Sequence, residues 1–189
     1  SQRWAGARGR LDPHGIFNPG KIVNTPPMDT FLRYTPGQNT PELPTLMDFS
    51  YYKGFIRAAE MCNGCGECRK TEKSGGTMCP SYMATRDEKD TTRARANILR
   101  ETITHSTKAN PFDSKEILEV MDLCLSCKGC KSECPSNVDV AKLKSEALHQ
   151  YYSVNGMPFR NKIIGNTTKV NKLFSAVPWL FNGVMRSPL

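Results

Sequence analysis

The chain has 189 residues, 38% of them aliphatic, aromatic or cysteine and 23% charged, an ordinary composition for a protein that buries one substantial core. No apolar run approaches the roughly 20 residues that a membrane-spanning helix needs, and the opening SQRWAGARGR lacks the apolar stretch of a secretion signal. The formal net charge is +8, but the basic residues are scattered, without an aromatic stacking series or a nucleic-acid motif among them, which argues against nucleic acid as a partner.

Residues 1–23 close on LDPHGIFNPGKIV, where Pro13, Gly15, Pro19 and Gly20 interrupt any regular element, so this stretch reads as an irregular tail that ends something else. Residues 24–49 hold five prolines, Pro26, Pro27, Pro36, Pro41 and Pro44, and few apolar anchors, which predicts an extended linker. A third unit is expected over residues 50–189. It opens on a first cysteine group, Cys62, Cys65, Cys68 and Cys79.

Helices are predicted to dominate this unit, because apolar residues recur at helical spacing and no alternating strand pairs occur. Asp90 is a candidate cap for a helix through about Thr102, with Ala94, Ile98 and Thr102 on one face and Arg93, Arg95 and Arg100 turned to solvent or a partner. Ser114 is a candidate cap for a second, in which Ile117, Met121 and Cys124 share a face with Leu118 and Leu125, leading directly into the second cysteine group, Cys124, Cys127, Cys130 and Cys134. Asn137 or Asp139 starts a third, with Val140, Leu143, Ala147 and Tyr151 on its buried stripe and Gly156 as its stop. The closing LFSAVPWLFNGVM is apolar but short and broken by Pro178, and is expected to dock on the core or on a neighbouring domain rather than on a membrane.

All eight cysteines fall in the two groups. A disulfide framework fits small secreted scaffolds, not a chain of this size without a secretion signal. Two four-thiolate zinc sites are the alternative, but zinc sites use CxxC pairs separated by a longer loop. Here CNGCGEC and CLSCKGC each place three thiolates within seven residues, which suits three iron corners of a cube and leaves the fourth for a distant ligand. Each group ends in Cys-Pro, Cys79-Pro80 and Cys134-Pro135, and Cys124 to Pro135 matches the bacterial CxxCxxCxxxCP run position by position. The expectation is two 4Fe-4S clusters. Each oxidised cluster with its thiolates would add about −2, so much of the basic excess offsets buried negative charge.

In two-cluster ferredoxins the cysteine before proline ligates the other cluster. By that rule Cys62, Cys65, Cys68 and Cys134 hold one cluster, and Cys124, Cys127, Cys130 and Cys79 the other. Ten residues, Arg69 to Met78, separate Cys68 from Cys79, so local ligation by Cys79 stays open. Arg69, Lys70, Lys128 and Lys131 beside the ligands are candidates for raising the potentials, or are simply solvated charges.

EMCNGCGECRK, TMCPSYMATRDEKDTTRARAN and CLSCKGCKSECPSNVDVAKLK resemble the iron-sulfur region of large FAD-linked oxidases of D-2-hydroxy acids, such as D-lactate or D-2-hydroxyglutarate dehydrogenases, and LDPHGIFNPGKIV resembles the closing segment of their FAD-oxidase domain. The resemblance implies a mainly α fold, an α-helical ferredoxin domain preceded by the irregular tail and the Pro-rich linker. It implies that residues 1–23 end a FAD domain, that this domain with its FAD and substrate site lies upstream, and that the chain is a fragment without catalysis of its own. His14, His105 and His149 do not rebuild that site, while Asn18, Pro19 and Gly20 are candidates for approaching the flavin. The implied function is electron transfer from flavin through two clusters to a downstream acceptor, in the cytoplasm, with peripheral attachment to the cytoplasmic membrane face left open. The alternative is a zinc-stabilised interaction module without redox activity.

Overall fold

The computed structural model describes residues 10–17, 19–21 and 24–187. The chain divides between Thr40 and Pro41 into two compact units.

The first unit is built from turns. Asp12 accepts the backbone N–H groups of Ile16 at 2.7 Å and Phe17 at 2.9 Å, and its carbonyl accepts the N–H of Gly15, whose φ of +63° only glycine adopts freely. Of the residues expected near a flavin, Asn18 lies outside the described residues.

The second unit is helical, with no strand among the described residues. Its elements are α1 (Phe55–Glu60), α2 (Pro80–Thr85), α3 (Thr92–Thr104), α4 (Lys115–Asp122), α5 (Gly129–Glu133), α6 (Val140–Asn155), α7 (Phe159–Gly165), α8 (Thr167–Ser175) and α9 (Pro178–Arg186). The mainly α architecture is the expected one. α3 packs on α1, α4 and α6, and the core between them holds Ile56, Leu99, Ile103, Ile117, Met121 and Leu143, each at most 2% exposed. Phe55 stands edge-on to Phe49 and Phe112, with ring centroids 5.2 and 4.9 Å away, a preferred aromatic geometry.

Three helix readings change. Thr91, not Asp90, caps α3: its hydroxyl accepts the N–H of Ala94 at 2.9 Å, and Asp90 is buried instead. The inward stripe of α3 is Thr92, Arg95, Ala96, Leu99 and Ile103, so Arg95 lies in the interior rather than facing solvent. α4 ends at Asp122, which puts Cys124 beyond the helix. Asp139 caps the start of α6, its side chain accepting the N–H of Lys142 at 3.0 Å, and Gly156 caps its end as the sequence indicates.

The segment from Pro41 to Phe49 is held to α6. Glu146, fully buried, accepts the N–H groups of Leu46 at 3.0 Å and Met47 at 2.9 Å, and Phe49 enters the core. Beyond Gly156, α7 and α8 bury no residue among those described, Phe159, Ile164, Leu173, Trp179 and Met185 are exposed, and Asn161 donates to the Tyr152 hydroxyl at 3.2 Å.

Candidate metal centres

The two cysteine triads repeat one backbone conformation. Two and four residues after Cys62 stand Gly64 and Gly66, at φ +76° and +82°, and at the same offsets from Cys124 stand Ser126 and Lys128, at φ +54° and +62°. Glycine adopts this left-handed region freely, whereas Ser and Lys do so at a cost of roughly 1–2 kcal/mol each. A loop that keeps its shape against that cost is held by its surroundings.

Each group places its cysteines at different depths. Cys62, Cys68, Cys79 and Cys130 are buried, Cys124 and Cys134 half-buried, and Cys65 and Cys127 exposed, all eight with free thiols. Cys79 caps α2 from the left-handed region, while Cys134 ends α5 in an extended conformation, so the two Cys-Pro steps are not copies.

Cys79, Cys124, Cys127 and Cys130 line one cavity, together with Pro80, Thr92 and Arg95. It is narrow, with about 20 Å³ open to a water-sized sphere. Cys134, although four residues from Cys130, is not among the described residues that line it. The fourth thiol of this cavity therefore comes from the first sequence group.

Helix N-termini supply the sulfurs with donors. Cys79 Sγ accepts the backbone N–H of Thr92 at 3.0 Å and lies 2.8 Å from the Thr92 hydroxyl. Cys68 meets the backbone N–H of Arg93 and the hydroxyl of Thr91, on the same turn of α3. Cys130 meets the N–H groups of Val140 and Ala141, at the start of α6. Burial pushes the Cys79 thiol up to about 11 against the lowering pull of Thr92, and raises Cys68 and Cys130 for the same reason. Such sites hold thiolates only when a cation compensates them, and the aligned N–H dipoles favour the charged form.

Among the described residues, no three His, Cys, Asp or Glu side chains converge closely enough to hold a single metal ion. A four-iron cube asks for something else: four cysteine sulfurs distributed around its corners, with N–H donors at the sulfurs. The four cysteines around this cavity supply that number and kind of ligand.

Three of the four cations flagged in the sequence are already engaged. Arg69 pairs with Glu88 at 3.2 Å, Lys70 with Glu67 at 2.9 Å, and Lys131 donates to the Tyr52 hydroxyl at 3.0 Å. Sequence reasoning missed Arg95, 2% exposed, whose Nε donates to Val120 O at 2.9 Å and whose Nη1 donates to Ser81 Oγ at 3.0 Å. Its place on the stripe of Ala96, Leu99 and Ile103 was the available signal. It also missed Glu133, which accepts the N–H groups of Thr77 and Met78 and so links the stretches before Cys134 and Cys79. His14, His105 and His149 are all exposed.

Residues 61–139 match the family model of the 4Fe-4S dicluster domain. The chain is similar to the D-2-hydroxyglutarate dehydrogenases of Pseudomonas putida, 28% identical over 95% of this chain and 21% of that protein, and of Escherichia coli, 24% identical over 95% and 21%. That of Haemophilus influenzae is 24% identical over 82% of this chain and 18% of its own length. The chain thus spans about a fifth of the length of the curated relatives it matches. No solved structure matches it. The 4Fe-4S dicluster domain and the likeness to this group of dehydrogenases agree with the resemblance read from the motifs.

Proposed function

We propose that this chain is the electron-transfer part of an FAD-linked D-2-hydroxy acid dehydrogenase, with D-2-hydroxyglutarate as the substrate class, and that it passes electrons from a flavin to a downstream acceptor. The observation that carries this is the joining of Cys79 to Cys124, Cys127 and Cys130 around one cavity. Under this reading Cys79, Cys124, Cys127 and Cys130 hold one 4Fe-4S cluster, and Cys62, Cys65, Cys68 and Cys134 hold the other.

Bound clusters would supply one-electron steps in series, which a flavin reduced by two electrons needs in order to discharge to a one-electron acceptor. The chain itself does the rest. α3 and α6 aim N–H groups at the sulfurs of Cys68, Cys79 and Cys130, which favours thiolate and stabilises added negative charge. The buried core of α1, α3, α4 and α6 keeps water from the inner thiols, while Cys65 and Cys127 reach the surface.

Residues 1–23 close the FAD domain, residues 24–49 lead from it, the last of them packing on α6, and residues 50–189 form the ferredoxin domain. FAD and the oxidation of substrate belong to the upstream part, supported by the small share of the relatives that this chain spans. Clusters held by thiolates suit a reducing compartment, the cytoplasm. Among the described residues no helix is long and apolar enough to cross a membrane.

The test is analysis of the chain prepared without air. About eight iron and eight acid-labile sulfide per polypeptide, with broad absorption near 400 nm, are expected, together with no oxidation of D-2-hydroxyglutarate when FAD is added. Stoichiometric zinc without sulfide would overturn the cluster assignment, and turnover by this chain alone would overturn the placing of the substrate site.

A further inference from the structure

Arg95 and Asp90 form an ion pair at 3.3 Å with both side chains 2% exposed. Removing two charges from water is costly, and such a pair is often no more stabilising than apolar residues of the same volume. Its position gives it a use. Arg95 lines the cavity of Cys79, Cys124, Cys127 and Cys130, while Asp90 is not among the described residues that do so. The cationic residue of the pair stands in the wall of the cavity that the four thiols line, and the anionic one is set back from it.

Two anchors of Arg95, Ser81 and Val120, lie on segments that lead to or from these ligands. Nη1 reaches Ser81 Oγ at 3.0 Å and Asp90 O at 2.5 Å, and Ser81 follows Cys79 and Pro80. Nε holds Val120 O at 2.9 Å, in the helix that leads to Cys124. Asp90 in turn accepts the Thr85 hydroxyl at 2.7 Å, at the far end of the helix that Cys79 caps. Two other cations lie near Cys124: Lys128 lines the cavity but is exposed, and Lys144 is only half-buried, its ammonium spent on the carbonyls of Met121 and Cys124, both at 2.7 Å. Arg95 is the buried cation in the wall of that cavity.

We infer that Arg95 is a positioning residue that raises the reduction potential of the cluster held by Cys79, Cys124, Cys127 and Cys130, with Asp90 as the counter-charge that limits the rise. The inference rests on the cluster reading above. An added electron makes that site more negative, and a fixed, desolvated guanidinium stabilises the extra charge more strongly than a solvated lysine can.

The test is potentiometric titration of the chain with both clusters bound, followed by electron paramagnetic resonance, on Arg95→Gln, Arg95→Lys and Asp90→Asn. The signal followed is the one that Cys79→Ser perturbs. Arg95→Gln leaves Asp90 uncompensated and should lower the potential by about tenfold in the reduction equilibrium, 59 mV for one electron. Asp90→Asn should raise it, Arg95→Lys should stay near the wild type, and the signal of the other cluster should move far less. A role confined to cross-linking the ligand segments would not move the potential in opposite directions in the first two variants. Equal-sign shifts, or none in protein that keeps its iron, overturn the inference. If Arg95→Gln loses its cluster, Asp90→Asn decides alone: an upward shift supports the inference, and an unchanged or lowered potential overturns it. Absence of iron and sulfide from the wild-type chain is a different failure, that of the cluster reading itself.

Discussion

Glu133 accepts the backbone N–H of Thr77 at 2.6 Å and the Thr77 hydroxyl at 2.7 Å, so the residue before Cys134 grips the chain two residues before Cys79. Its second oxygen takes the N–H of Met78 at 3.1 Å. Under crossed ligation these two cysteines serve different clusters, and one carboxylate fixes both approaches. Glu133→Ala should lower the unfolding midpoint and speed iron loss to a chelator at both clusters rather than one. Loss confined to a single signal would show that the contact braces only one arm.

Exchange of the fourth ligands is the most direct check on the site. Cys79→Ser should perturb the signal that Cys124→Ser or Cys127→Ser perturbs, because these thiols face one cavity. Cys134→Ser should perturb the signal that depends on Cys62, Cys65 and Cys68. Serine is a harder and more basic ligand, so the affected cluster should lose iron or become labile. If Cys134→Ser and Cys130→Ser alter the same signal alone, ligation is local and the pairing is wrong.

The repeated loop shape predicts an asymmetry between the triads. A Cβ on Gly66 would find only the Arg93 guanidinium, at 3.9 Å, so Gly66→Ala meets no steric block and its expected cost, roughly 1–2 kcal/mol, is that of the left-handed backbone. Lys128 already bears that cost at φ +62°. Lys128→Gly should therefore be neutral or stabilising by up to about 1 kcal/mol, after the greater freedom of glycine in the unfolded chain is subtracted. Urea midpoints of the two variants should move in opposite directions or leave Lys128→Gly unmoved.

Asp113 ties the loop before α4 to the end of α6, accepting Asn155 Nδ2 at 2.9 Å. The Asn155 amide and then the Lys108 ammonium hold its carboxyl below the usual range. A depressed folded pKa contributes stability above the ordinary aspartate pKa and loses it as pH falls through the folded value. The advantage of wild type over Asp113→Asn in urea should be present at pH 7 and vanish on acidification. A difference independent of pH would assign the effect to packing alone.

Much of this was legible because iron chemistry is written in spacing: thiols at fixed intervals, proline after the fourth, glycine where the chain must reverse. The stop of α6 at Gly156 was legible for the same local reason. Arg95 was not, because a basic residue at the start of a helix reads as solvent-facing until the partners that bury it, Asp90 and Val120, are known. Glu146 escaped notice likewise, since its partners Leu46 and Met47 are about a hundred positions away. Asp90 and Thr91 are both good caps by residue type, and tertiary burial of Asp90 decided between them. Ser126 and Lys128 carry no sign of a left-handed backbone; only comparison with Gly64 and Gly66 at the same offsets reveals it.

The first turn of α3 gives donors to Cys79 through Thr92 and to Cys68 through Thr91 and Arg93. With crossed ligation these are thiols of different clusters, so one turn of backbone is common to both maturation events. Insertion of whichever cluster arrives first immobilises that turn, and the second arrives at donors already in place, with less ordering left to do. Filling should therefore be concerted: at sub-stoichiometric iron and sulfide, the population should consist of empty and fully loaded molecules, with half-filled ones scarce.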